Sequence, residues 1–227
     1  MRFKIMGIFM FLTMLIFATP CHAQGFDKQL DGRAVNVIEC VKSIDIFAHV
    51  NISGELADSN IKGHKDTYSE AFIKGVKSVW EGSYNGRDIF VHIYNVPDDY
   101  TGNCVNVIID DVDDSEDFSR ALKSDNKIWL YSGDGRMGIE YRYTYNRFMT
   151  VSGHEFGHIL GLGDAYSDRN EYVQKYLLTP LGAWNCFHAQ DVDYYLLLKY
   201  QTWKSNTSYK YSDDELVVSL LMGRITQ

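Results

Sequence analysis

Apolar residues recur with a helical period in some stretches of this chain and with a strand-like period in others. Residues 67–84 carry Phe72, Ile73, Val76, Val79 and Trp80 at spacings of three and four, which predicts a long helix with one buried face. Residues 43–51 mix β-branched and aromatic side chains as a strand does, and residues 88–96 and 104–112 are the clearest β runs. Between those two runs, Pro97, Asp98, Asp99, Tyr100, Thr101 and Gly102 supply turn chemistry. A shorter strand is predicted at Lys127–Tyr131, a helix beginning near Asn146, and a further helix at residues 190–200. This order predicts an α+β domain. No repeat, low-complexity tract or Pro/Ser-rich linker marks a boundary within it.

The N-terminus changes the picture of where the chain works. Arg2 and Lys4 form a short basic region, residues 5–18 are apolar, and Cys21-His22-Ala23 approximates a small-x-Ala cleavage site. This predicts a signal peptide at residues 1–23, cleavage after Ala23 and a secreted or periplasmic protein with one domain at residues 24–227. An uncleaved membrane anchor competes with this reading, because no charge interrupts residues 5–26. Its strongly apolar part is short of the roughly 20 residues that a span needs, so no stable membrane association is expected after cleavage. Pro20 before Cys21 argues against a lipoprotein box.

Loss of the leader removes Arg2 and Lys4 but no acid, which takes the net charge from -8 to -10. So acidic a surface disfavours nucleic acid and anionic membranes as partners. Cys40, Cys104 and Cys186 remain, enough for one disulfide and one spare thiol in an oxidising compartment, with the pairing open.

The chemistry is concentrated in His154-Glu155-Phe156-Gly157-His158-Ile159-Leu160-Gly161-Leu162-Gly163-Asp164. On a helix, His154 and His158 are four apart and project from one face, so both imidazoles can converge on one ion. Glu155 is rotated by about 100° from His154, placing its carboxylate beside the metal to hold a water and take its proton. Gly161 can adopt the left-handed conformation that ends a helix, and a turn there would bring Asp164 back towards the metal. Zinc suits such a site: three protein ligands leave one position for a water, whose pKa it lowers to about 7.

The pattern His-Glu-x-x-His-x-x-Gly-x-x-Asp resembles the zinc-binding signature of the metzincin metallopeptidases, with Asp164 where most members have a third His. An anionic third ligand makes the metal less electrophilic and shifts water activation onto Glu155. The resemblance implies a mixed twisted sheet with a long backing helix and an active-site helix. It divides the domain into an N-terminal subdomain to about residue 163 and a small, mostly helical C-terminal subdomain from about residue 164. It also implies that Lys127–Tyr131 is a sheet edge lining the cleft, to which a peptide adds as another strand.

The chain departs from the family at the Met-turn. Residues 181–186 are the best match, and Trp184 stands in place of the supporting methionine. Cys186 occupies the position of a metal-touching tyrosine found in some members, and it could bind zinc or pair with Cys104 or Cys40. His188 competes with Asp164 as third ligand or serves as a proton donor, and Tyr166 is a candidate for oxyanion stabilisation.

The expected function is a zinc-dependent endopeptidase with His154, His158 and Asp164 as ligands and Glu155 as general base, acting on a protein or peptide substrate. Specificity is expected from residues 166–179. Control by a separate inhibitor is one expectation. Other readings are a substrate-restricted effector or toxin subunit with a delivery partner, a noncatalytic zinc-bearing binding module, and an amidase acting on cell-wall peptide.

Overall fold

The computed structural model describes residues 33–162, 188–189 and 193–199. In chain order its elements are β1 (Val35–Glu39), β2 (Ser43–Ser53), α1 (Tyr68–Trp80), β3 (Gly82–Tyr84), β4 (Arg87–Asn95), β5 (Val105–Asp110), β6 (Arg120–Leu122), β7 (Lys127–Tyr131) and α2 (Tyr145–Leu160). Residues 193–199 are also helical. Among the described residues, the seven strands form one mixed sheet in the order β3-β4-β2-β5-β7-β6, with β1 also paired to β2. The α+β class expected from the sequence is therefore present.

Alternation along the strands builds the core. Ile44, Ile46, Ala48 and Val50 of β2 pack with Ile89 and Val91 of β4, with Val105, Val107 and Ile109 of β5, and with Ile128 and Leu130 of β7. The period of two sends these residues to one face, and both helices cover that face. Strand β2 is long because one of its edges serves two partners: it runs antiparallel to β1 over residues 44–48 and parallel to β5 over residues 50–53. Its other edge runs parallel to β4 over residues 43–50.

Helix α1 is shorter than the periodicity predicts. Thr67 caps it, accepting from the Glu70 amide while the Glu70 side chain accepts from the Thr67 amide, and the helix ends at Trp80. Residues 82–84 form β3 instead, joined to β4 through Asn85 and Gly86 at φ 50° and 72°. That pair is the Asn-Gly two-residue hairpin turn, and its pairing overrides a helical spacing that runs on through Tyr84 by coincidence.

A second correction concerns the sheet edge. Lys127–Tyr131 is not at the edge: β7 pairs parallel with β5 on one side and antiparallel with β6 on the other. The edge is Arg120–Leu122, a strand of three residues with exposed ends. Short length and a charged residue are how edges commonly avoid unwanted pairing, and they are also why this strand is invisible to periodicity.

The two helices cross at glycines. A Cβ on Gly75 of α1 would stand 2.4 Å from the Met149 carbonyl oxygen and 2.7 Å from its Cα, and one on Gly153 of α2 would stand 2.3 Å from a Val79 methyl. Trp80, fully buried, donates from its indole N–H to the Gly153 carbonyl at 2.8 Å. The contact fixes α2 on the sheet, where α1 packs against β4, and α2 against β6 and β7. Gly75→Ala tests how tight the crossing is. Alanine favours an isolated helix by about 1 kcal/mol over glycine, but forcing the backbones apart costs about 1–3 kcal/mol. The expected result is a net loss of stability, read as a lower urea midpoint with unchanged slope.

On the opposite face of the sheet, buried Asp45 accepts from Ser43 Oγ at 2.6 Å and lies 2.8 Å from His92 Nε2. His49 Nδ1 meets the Tyr100 hydroxyl at 2.7 Å. Cys40 is disulfide-bonded to a partner outside the described residues, whereas Cys104 is a free thiol whose pKa burial pushes up. Among the described residues no helix is long and apolar enough to cross a membrane.

Candidate metal centre

Helix α2 presents the motif residues, and its two ends explain where it starts and stops. At the N-terminus Thr144 has extended backbone and its hydroxyl accepts from the Arg147 amide, a standard cap just before Tyr145. At the C-terminus Gly161 is left-handed, with φ 105° and ψ 13°. Its amide donates to the His158 carbonyl at 2.9 Å, and the Leu162 amide donates to the Gly157 carbonyl at 3.1 Å. These paired bonds are the Schellman closure, and they satisfy carbonyls that the helix end would otherwise leave without amide partners. The sharp turn expected at Gly161 is present.

The same turn prepares a ligand. It carries the Leu162 carbonyl back over the last helical turn, 2.9 Å from Nδ1 of His158. A carbonyl can only accept, so Nδ1 carries a proton, and in the neutral ring the lone pair is left on Nε2. That is the tautomer in which Nε2 can coordinate a metal, held in orientation by a backbone oxygen. His154 lies one turn earlier, its ring centroid 4.9 Å from that of His158 and the planes 88° apart.

Glu155 is buried at 6% exposure, and its carboxylate lies 4.0 Å from His158 Nε2, too far to take that nitrogen by hydrogen bonding. His154 is similarly buried at 8% exposure.

Among the described residues, no three or more His, Cys, Asp or Glu side chains are gathered as a metal requires. The predicted third ligand, Asp164, lies outside the described residues, as do Tyr166, Trp184, Cys186 and all of residues 166–179. His188 is exposed, and its Nδ1 is 2.6 Å from the Ser78 carbonyl, while the next amide, of Ala189, donates to Val79 at 2.7 Å. The structure thus ties His188 to the last turn of α1. His154 and His158 are donors of the type zinc takes and supply two of the three protein ligands that a catalytic zinc site needs.

Residues 132–135, which with Lys127–Tyr131 match the cleft-lining segment of the resemblance, make packing contacts that the sequence does not foretell. Ser132 and Asp134 are buried there, and Gly133 passes so close to the Tyr141 carbonyl that a Cβ would lie 1.8 Å from that oxygen. Arg136 grips both Asp134 oxygens, at 2.9 and 2.8 Å, and this guanidinium holds the Asp134 carboxyl below the usual carboxylate range despite burial. Burial raises Asp111, but the Ser132 hydroxyl, the Val112 amide and Arg142 together outweigh it and hold that carboxyl low as well. These ionic bonds fix the base of the loop that delivers the chain to α2. The sequence signal was the cluster of Gly and Asp at residues 132–135, which reads as a turn without saying what it packs against.

No family model matches this chain, and neither a curated protein nor a solved structure matches it.

Proposed function

We propose that this chain is an exported zinc-dependent endopeptidase of metzincin type. The observation that carries the proposal is the locked His158 tautomer beside His154 and buried Glu155 on one helix. A mixed sheet backed by α1, with β6 last in it among the described residues and packed against α2, supports the same reading. His154 and His158 would hold the ion with Asp164. Bound zinc would supply a Lewis acid for the scissile carbonyl and lower the pKa of water.

The chain's own residues do the rest. Glu155, held in a site with little water, accepts the proton of the attacking water and returns it to the leaving amine. The site's low exposure strengthens each of these electrostatic contacts. The Leu162 carbonyl keeps His158 from rotating or changing tautomer, so the donor nitrogen is ready without reorganisation.

The test is cleavage of casein by residues 24–227. Chelation is expected to abolish cleavage and equimolar zinc to restore it, with one zinc per chain by elemental analysis. Cleavage that persists after complete metal removal would overturn the proposal.

A further inference from the structure

We propose that the edge strand β6 selects extended peptides carrying a carboxylate and, two residues away, an apolar side chain. The inference rests on the peptidase reading and names its substrate class. Strand β6 stands last in the sheet, and among the described residues nothing pairs with its outer edge. Such an edge can receive an extended peptide through main-chain hydrogen bonds, with selectivity left to the side chains that alternate along it.

Those side chains are Arg120 and Leu122, on the sheet face opposite the helices because their cross-strand partners are Trp129 and Lys127. Arg120 is held between two rings, its guanidinium carbon 5.4 Å from the centroid of Phe118 and 5.2 Å from that of Trp129. Lys127 adds a second cation 4.4 Å from Trp129. Ring contacts engage the faces of a guanidinium and leave its in-plane N–H groups for a carboxylate.

Among the described residues, neither Arg120 nor Lys127 forms a salt bridge with a carboxylate. The nearby acids are committed elsewhere. Asp117 accepts from the amides of Asp113 and Asp114 and bonds the Tyr131 side chain, and Asp134 is taken by Arg136. Two cations without a described carboxylate partner, on a chain of net charge -8, form a local field of opposite sign at this edge.

A peptide laid along β6 places one residue opposite Arg120 with Cβ atoms about 5 Å apart, within reach of a charge-assisted bond. The residue two positions along faces Leu122, which is 44% exposed and offers apolar contact. The pattern selected is acidic-x-apolar, read in either direction.

The experiment uses zinc-loaded full chain carrying Glu155→Ala, so that peptides bind without turnover. Fluorescein-labelled decapeptides with a central Glu-Ala-Leu, Gln-Ala-Leu or Lys-Ala-Leu are compared by anisotropy. The Glu peptide is expected to bind about tenfold tighter than the Lys peptide, the size of one charge-assisted bond. Adding Arg120→Glu is expected to invert that order. A ratio between peptides is insensitive to any loss of folded protein.

Affinity that is independent of peptide charge, or an acidic preference that survives Arg120→Glu, would overturn the proposal. The same peptides are then given to the chain with Glu155 intact. Charge-selective binding without cleavage leaves this inference standing and counts against the peptidase reading. Cleavage without charge selection does the reverse.

Discussion

Glu155→Gln is expected to lower peptide hydrolysis by about a thousandfold while leaving one zinc bound per chain, because a positioned general base contributes of that order. Glutamine matches glutamate in shape, so the packing of a residue only 6% exposed is kept and the helix should fold unchanged. What is lost is the ability to accept a proton. The loss should fall on kcat far more than on KM, since the carboxylate acts on the water and not on the substrate. The measurement is kcat/KM on a quenched peptide, with zinc counted in the same preparation. Turnover within about fivefold of the unaltered chain, zinc being present, would place the base elsewhere and remove Glu155 from the mechanism. Loss of zinc together with activity would mean that Glu155 holds the ion instead of the water.

Trp80→Ala should lower global stability by about 3–5 kcal/mol, the range for truncating a large aromatic in a packed core. Trp80 has no exposed surface, donates to the Gly153 carbonyl at 2.8 Å and stacks edge-on with Tyr194, whose hydroxyl donates to the Trp80 carbonyl at 3.2 Å. One side chain therefore joins α1, the helix bearing the histidines and the helical residues 193–199. The consequence reaches the candidate metal centre, because Gly153 precedes His154. Zinc affinity should weaken along with stability, measured by competition with a chromogenic chelator at a temperature where the variant is still folded. Urea unfolding gives the stability, with an unchanged slope showing that the same surface is still exposed on unfolding. A loss below about 1 kcal/mol would mean that the cavity collapses freely and that the helix crossing rests on the glycine contacts instead.

Much of the fold was legible because it is repeated along the chain. The alternation at residues 44–50, 89–91 and 105–109 reports a buried sheet face, and the spacing of Phe72, Val76, Val79 and Trp80 reports a helix, since each pattern is imposed by a backbone period. Asn146 was placed within one residue of the observed start of α2. Strands β3 and β6 have only three residues each, and the five residues of β1 are at most partly buried, so no local period marks any of them. The metzincin resemblance puts the edge at Lys127–Tyr131, the strand next before the active-site helix in the chain. In the sheet, β6 precedes β7 in the chain but lies outside it.

The candidate site divides in the same way. Sequence alone determined that His154, Glu155 and His158 share one helix and that Gly161 ends it, because four-residue spacing and the permissiveness of glycine are local properties. Only the tertiary structure decided which His158 nitrogen carries the proton, since that depends on where the Leu162 carbonyl comes to rest. Likewise it alone showed that Trp80 and the Gly75 and Gly153 contacts pin the helix, and that Arg120 stands at an open edge without a described carboxylate partner. The physical reason is range. Backbone period and conformational preference act within a few residues, whereas hydrogen-bond partners, burial and uncompensated charge are set by segments that meet only when the chain is folded.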